Sequence, residues 1–177
     1  MSDKRSLREA MRAARFAFAP VPLPVPPEFA TRLRPGLTVA SYRPMPGEAD
    51  PAPLADAARA GGCALALPRV DGRGRPLRFL RWDEGVAFER GPFGIEQPPA
   101  DAPEVRPDVV LTPLVAFDRA GWRLGQGAGC YDGAFAALSD AWRVGVAWSV
   151  QEAACVPTDP WDVPLHAIVT EKEWITP

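Results

Sequence analysis

The sequence predicts a single α/β domain built on a mainly parallel sheet, and three observations carry that expectation. Its 177 residues, 47% apolar and 24% charged, have the proportions of an ordinary globular domain. A chain of that length buries roughly 70% of its unfolded surface, so it needs neither disulfide nor metal to fold. From Leu37 onward, short apolar runs alternate with helical patterns and turns. The runs at 37–42, 109–112 and 143–148 lack polar alternation, as strands covered on both faces do.

The first element is an amphipathic helix over residues 3–18. Leu7, Met11, Ala14 and Phe18 recur at helical spacing and make an apolar stripe, and Lys4, Arg8, Arg12 and Arg15 make a basic stripe beside it. Ser6 and Glu9 have the spacing of a capping box, which would start the helix a turn later. Residues 19–27 alternate proline with apolar residues, which forbids helix and favours polyproline II. They read as a stiff connector to a short helix at 27–34, with a ligand for a proline-recognition module as the alternative. Strands are expected at 37–42, 63–67, 77–82, 109–112, 143–148 and 166–170, and helices at 50–60 and 131–139. Residues 71–76, with two glycines and a proline, read as a hairpin turn.

Several function classes are disfavoured at once. A net charge of −2 argues against a dedicated nucleic-acid binder. No apolar run approaches 18 residues, and the first dozen residues are charged where a signal peptide needs an apolar stretch. A cytoplasmic monomer acting on small molecules is expected. The single histidine, His166, and three cysteines without CxxC spacing give no pattern for structural zinc. Any metal would be a hard ion held by carboxylates and phosphate.

The stretch from Pro113 to Asp132 is the most informative. Gly125, Gly127 and Gly129 form a glycine-rich loop between an expected strand and an expected helix. Such a loop lets backbone N–H groups approach an anion, and a helix N-terminus behind it favours phosphate. The spacing is neither the dinucleotide fingerprint nor the P-loop. A tight turn without a ligand is the alternative reading. Asp132 follows directly, and Asp159 and Asp162 lie in a second turn-rich loop. Two such carboxylates beside phosphate suit magnesium, although Asp is also common in ordinary turns and first helical turns. Glu48 follows one strand, at the sheet edge where ligands gather, and could hold the N–H edge of a heterocycle. Phe93 is a loop aromatic, either a stacking platform or a plug. Arg69, Arg73, Arg75 and Arg78 surround the hairpin, either as a solvated face or as a dock for an anionic tail. His166 reads as a core or edge residue, and Cys130, with no paired base, is given no nucleophilic role.

Taken in order, Lys4–Arg8, Tyr42 to Glu48, Leu67 to Val70, Phe93 to Pro98, Asp108 to Asp132 and Asp162 to Thr170 closely resemble the 5-formyltetrahydrofolate cyclo-ligase family over nearly the whole chain. The specific core is Leu-x-x-Phe-Asp-x-x-Gly-x-Arg-Leu-Gly-x-Gly-x-Gly-x-Tyr-Asp, ending at Asp132. The resemblance implies a three-layer α/β/α domain related to the ribose-phosphate isomerase group. It implies ATP- and magnesium-dependent closure of 5-formyltetrahydrofolate to 5,10-methenyltetrahydrofolate. It assigns ATP to Lys4, Arg5, Ser6, Leu7 and Arg8 and to Arg123, Leu124, Gly125, Gln126, Gly127, Ala128, Gly129, Cys130 and Tyr131. It assigns the folate to Glu48, Phe93 and Gln126–Cys130, magnesium to Asp132 and Asp162, and catalysis to Arg123, Tyr131 and Asp132. The chain departs from the family pattern at Gln126, which replaces a cation, at Cys130, which replaces a tyrosine, and at Gly133, where an arginine often follows. Those departures motivate a second expectation, a non-catalytic relative that sequesters folate or nucleotide. Arg12 and Arg119 are candidates to replace the missing charge. A sugar-phosphate isomerase is a third and weaker reading, by analogy of fold.

Overall fold

The computed structural model describes residues 3–72 and 75–177, with Phe93 described by its backbone alone. In chain order the regular elements are α1 (Lys4–Ala17), α2 (Pro27–Ala30), β1 (Thr38–Ala40), α3 (Ala52–Ala60), β2 (Ala64–Arg69), β3 (Arg78–Arg81), β4 (Glu89–Arg90), β5 (Glu96–Gln97), β6 (Val109–Pro113), β7 (Ala116–Phe117), β8 (Arg123–Leu124), α4 (Cys130–Ala137), β9 (Trp142–Val146), β10 (Ala167–Val169) and β11 (Trp174–Ile175). Seven strands form one sheet in the order β11-β10-β9-β6-β1-β2-β3. The inner pairs β10–β9, β9–β6, β6–β1 and β1–β2 are parallel, and the two edges, β2–β3 and β10–β11, are antiparallel.

Successive strand residues point to opposite faces, and here both faces are covered. Val39, Leu65, Val109, Leu111, Val144 and Val146 pack with Phe29 and with Leu54, Ala55 and Ala58 of α3. Ala40, Ala66, Val110 and Ile168 pack with Ala134, Phe135 and Leu138 of α4 and just beyond it. This two-sided burial is why the strands read as unbroken apolar runs. At Gly145, in the middle of β9, a Cβ would lie 2.6 Å from Leu165 Cδ1 and 3.0 Å from Leu114 Cδ2. Gly145→Ala is therefore expected to destabilise the protein by about 1–3 kcal/mol through overpacking, read as a lowered thermal midpoint.

Several boundaries differ from the sequence expectation. Asp3, not Ser6, caps the first helix: its Oδ1 accepts the Ser6 amide at 2.7 Å, so α1 begins at Lys4, and Glu9 pairs with Arg5 instead. The expected helix at 27–34 is one turn, Pro27–Ala30, followed by turn bonds up to Leu33. The hairpin between β2 and β3 is present, with Arg69 opposite Arg78. The two-residue strands β4, β5, β7, β8 and β11 were not expected, being too short to show a period. Arg73, one of the hairpin arginines, lies outside the described residues.

Candidate active site

The chain leaves β1 through α3 to β2 on one side, and returns in β6 on the other side of β1. The carboxyl ends of β1 and β6 thus flank a topological switch point, where an open α/β sheet leaves a crevice. A cavity of about 590 Å³ opens there.

Its first wall is the loop that follows β1. Tyr42 donates its hydroxyl to Ala49 O at 2.6 Å, and Trp148 Nε1 donates to Gly47 O at 3.1 Å, so the loop is pinned from both sides. Glu48 Oε2 accepts the Met45 amide at 3.0 Å, and Glu48 Oε1 pairs with Arg15 Nη1 at 3.4 Å. Burial pushes the Glu48 carboxyl above its usual range, opposed by the Met45 amide and Arg15.

The second wall is the glycine-rich loop. The β7–β8 ribbon ends at Leu124, and the chain then runs through Gly127 (φ +107°) to Gly129, whose φ of +65° puts it in the left-handed region as the N-cap of α4. No side chain caps α4, so its first amides face the loop, the arrangement that suits an anion.

α1 lies across this loop, packed through Leu7 onto Ala116, Leu124 and Val156. Its basic stripe spans the site from end to end. Lys4 Nζ bridges Asp159 and Asp162 at 2.6 Å each, and Arg8 Nε donates to Gly125 O at 2.9 Å. Arg12 Nη2 donates to Gln126 Oε1 at 2.6 Å, and Arg15 reaches Glu48. Of the two candidates for the missing loop charge, Arg12 stands at the loop, whereas Arg119 is held by Glu152 and Glu173.

The third wall joins the carboxylates. Arg123, its side chain 5% exposed, donates through Nη2 to Asp132 Oδ1 at 2.6 Å and through Nη1 to Val163 O. Burial lowers its affinity for a proton, and Asp132 restores part of it. The Val163 amide also donates to Asp132 Oδ1 at 3.3 Å, which brings the Asp162 segment against Asp132. Burial pushes the Asp162 carboxyl up, but Lys4, the Asp159 amide and Arg123 outweigh it, and it titrates below its usual range. Lys4, desolvated but doubly paired, holds its proton more firmly than usual. Tyr131 also lines the cavity, and burial with nearby Glu48 keeps its phenol protonated.

The fold therefore brings Lys4, Arg8, Glu48, Arg123–Asp132 and Asp162 to one cavity. Arg5 points to solvent beside Glu9, the Ser6 amide serves the Asp3 cap, and Leu7 is buried under the helix, so none of these side chains joins the cavity wall. Phe93 belongs to the one-turn Pro92–Gly94 segment, and its side chain lies outside the described residues. Arg69 and Arg78 are spent on Asp71, Glu89 and Glu104, which favours the solvated-face reading of the hairpin. His166 faces Arg143, and the Cys130 sulfur sits 3.9 Å from Ala128 O. The sequence reading passed over Trp161, 70% exposed at the cavity rim, and the contacts of Arg12 and Arg15. The basic stripe was the signal for the arginines; a lone loop tryptophan gives none.

A doubly wound sheet with a glycine-rich loop at its switch point, a basic helix over that loop and carboxylates beside it has the architecture of an α/β enzyme with its site in the crevice. Residues 29–171 match the family model described as 5-formyltetrahydrofolate cyclo-ligase family, and the chain belongs to that family. It is 34% identical over 149 residues to the 5-formyltetrahydrofolate cyclo-ligase of Escherichia coli, covering 77% of this chain and 80% of that one. The match to the Haemophilus influenzae protein of the same name, 38% identical over 103 residues, covers 52% of this chain and spans about half (53%) of that relative. Among solved structures, Aquifex aeolicus 5,10-methenyltetrahydrofolate synthetase superposes with a TM-score of 0.67 at 32% identity, over 98% of this chain and 82% of that one. The Mycoplasma pneumoniae 5,10-methenyltetrahydrofolate synthetase, at 21% identity and a TM-score of 0.69 over 96% and 99% of the two chains, shares the fold. Among the described residues, no helix is long and apolar enough to cross a membrane.

Proposed function

We propose that the protein closes 5-formyltetrahydrofolate to 5,10-methenyltetrahydrofolate, with ATP as co-substrate and release of ADP and phosphate. One observation carries the reading: a buried carboxylate, an anion loop and two paired carboxylates share a single cavity in a member of this family.

The formyl oxygen attacks the terminal phosphorus and ADP leaves. N10 then attacks the activated carbon and loses its proton, and the C–O bond breaks with its electron pair departing on phosphate. The protein's share of such chemistry is positioning and charge stabilisation. The loop amides and the first amides of α4 cradle the phosphates. Lys4, Arg8 and Arg123 supply the positive charge around them, and Arg12, on Gln126, returns a cation to the loop position that lost one. Glu48, across the cavity, holds the N–H edge of the pterin, and the protonated Tyr131 hydroxyl donates near the reacting carbon.

Asp132 and Asp162 fit magnesium: they are hard oxygen donors brought together by the Val163–Asp132 contact, and two carboxylates plus nucleotide phosphate is a usual magnesium set. Bound there, the ion would neutralise the charge that develops on the transferring phosphoryl group. In the structure the two carboxylates are balanced by Arg123 and Lys4, cations that lie where the phosphates would arrive.

Growth of the methenyl-folate absorbance band is expected when the protein meets 5-formyltetrahydrofolate and Mg·ATP, and none without ATP. A flat trace from folded protein sinks the proposal, and folate binding by calorimetry would then favour the sequestering reading that Gln126, Cys130 and Gly133 first suggested.

A further inference from the structure

α1 meets the cavity at two ends, and its far end makes a contact that phosphate binding does not require. Arg15 is 3% exposed in its side chain, and Glu48 is 4% exposed. Both charges have left water. Arg15 Nη1 reaches Glu48 Oε1 at 3.4 Å, while the Arg15 Nε is buried with no hydrogen-bond partner among the described residues. A guanidinium so placed is costly unless its charge is used, because an unpaired buried cation is strongly unfavourable. The neighbouring Phe18 anchors this end of the helix, its ring 5.0 Å from Trp148, the residue that also holds Gly47 O. The helix end and the Glu48 loop are thus locked to one indole.

We infer that Arg15 is a positioning residue that keeps Glu48 ionised and directed into the cavity. The inference rests on the reading of Glu48 as the folate carboxylate. The other groups facing Glu48 come from every element packed against it: the Tyr42 phenol beyond β1, the Tyr131 phenol of α4, Gln126 of the glycine-rich loop, and the Met45 amide of its own loop. The phenols are held neutral by burial, so the charge that favours the carboxylate comes from Arg15. Burial already pushes the Glu48 carboxyl upward. Without the guanidinium it would take a proton at a higher pH still. A protonated Glu48 can no longer accept hydrogen bonds through both oxygens from a heterocycle's N–H edge.

The test is 5-formyltetrahydrofolate affinity by calorimetry from pH 5 to pH 9, for the full chain and for Arg15→Met, Arg15→Lys, Glu48→Gln and the doubly neutral Arg15→Met/Glu48→Gln. In Arg15→Met, the pH at which affinity is half lost should rise by roughly one to three pH units, so that binding lost at neutral pH returns as pH is raised. Arg15→Lys should restore the wild-type profile. The double variant should bind no more weakly than Glu48→Gln alone, because the arginine acts through the carboxylate. An unchanged pH profile in folded Arg15→Met, or losses that simply add in the double variant, would overturn the inference and leave Arg15 a packing residue. Should Arg15→Met fail to fold, the double variant, which strands no buried charge, decides between the same two outcomes. If Glu48→Gln itself binds folate like the wild type, the folate reading of Glu48 falls, an outcome separate from failure of the Arg15 profile.

Discussion

Asp132→Asn is expected to lower turnover by about 10²–10³-fold while the protein stays folded, the loss typical of removing one preorganised charge from a reacting centre. The separation of effects follows from the contacts. Asp132 Oδ1 accepts from Arg123 Nη2 and from the Val163 amide, and an asparagine oxygen in the same place can accept both. Arg123 also keeps its bond to Val163 O and its place 4.7 Å over the Phe135 ring. What asparagine cannot supply is the negative charge that balances Arg123 and, in the proposed reaction, binds the metal. The check is the ATP-dependent methenyl-folate rate with both substrates saturating, beside a circular dichroism spectrum. A wild-type rate would remove Asp132 from the reaction. A lost spectrum would mean that the charge pair, and not only its geometry, holds the loop.

How much of this was legible beforehand depends on whether the signal was local. The parallel sheet was legible because both of its faces are buried, which turns strands such as Val109–Pro113 into apolar runs. The basic stripe of α1 was visible as spacing, but its partners are not: Lys4 lies 155 and 158 residues from the aspartates it bridges. The helix was placed within a residue of its start, and only the alternative start at a Ser6–Glu9 box fails, because the Asp3 side chain caps the Ser6 amide. The glycine-rich loop was readable as an anion site or as a plain tight turn, and the resemblance supplied the substrate; neither spacing nor composition could have named a folate. Trp161 and the Arg15–Glu48 pair escaped because exposure at a rim and burial in a wall are properties of the folded chain. The substitution at Gln126 looked like a lost charge in one dimension, and the structure sets Arg12 beside it.

The second large effect lies outside the cavity. Asp118, 4% exposed, accepts the Ala120 and Trp122 amides on Oδ1, each at 3.1 Å, and the Val156 amide on Oδ2 at 2.8 Å. Its own segment is the turn of the β7–β8 ribbon, closed by Gly121 N donating to Asp118 O at 3.1 Å. Gly121 O in turn accepts Leu165 N at 2.8 Å. One turn thus ties the ribbon that launches the glycine-rich loop to both ends of the segment carrying Asp159 and Asp162. Asp118→Ala strands the buried Val156 amide and the half-buried Ala120 and Trp122 amides, and is expected to cost about 3 kcal/mol, at roughly 1 kcal/mol for each. For a chain of this size that is a fall of roughly 6–12 °C in thermal midpoint. Asp118→Asn should cost less, because its oxygen can still serve the Ala120 and Trp122 amides while its NH₂ faces Val156 N. Gly121→Ala attacks the same joint from the other side: φ is +85° and the new Cβ would lie 2.8 Å from Leu165 O, a backbone atom that cannot swing away. If scanning calorimetry finds Asp118→Ala and Gly121→Ala within a degree of the wild type, the joint does not carry the loop. If both fall and the surviving folded fraction also binds ATP more weakly, the turn sets the distance between the two halves of the phosphate site.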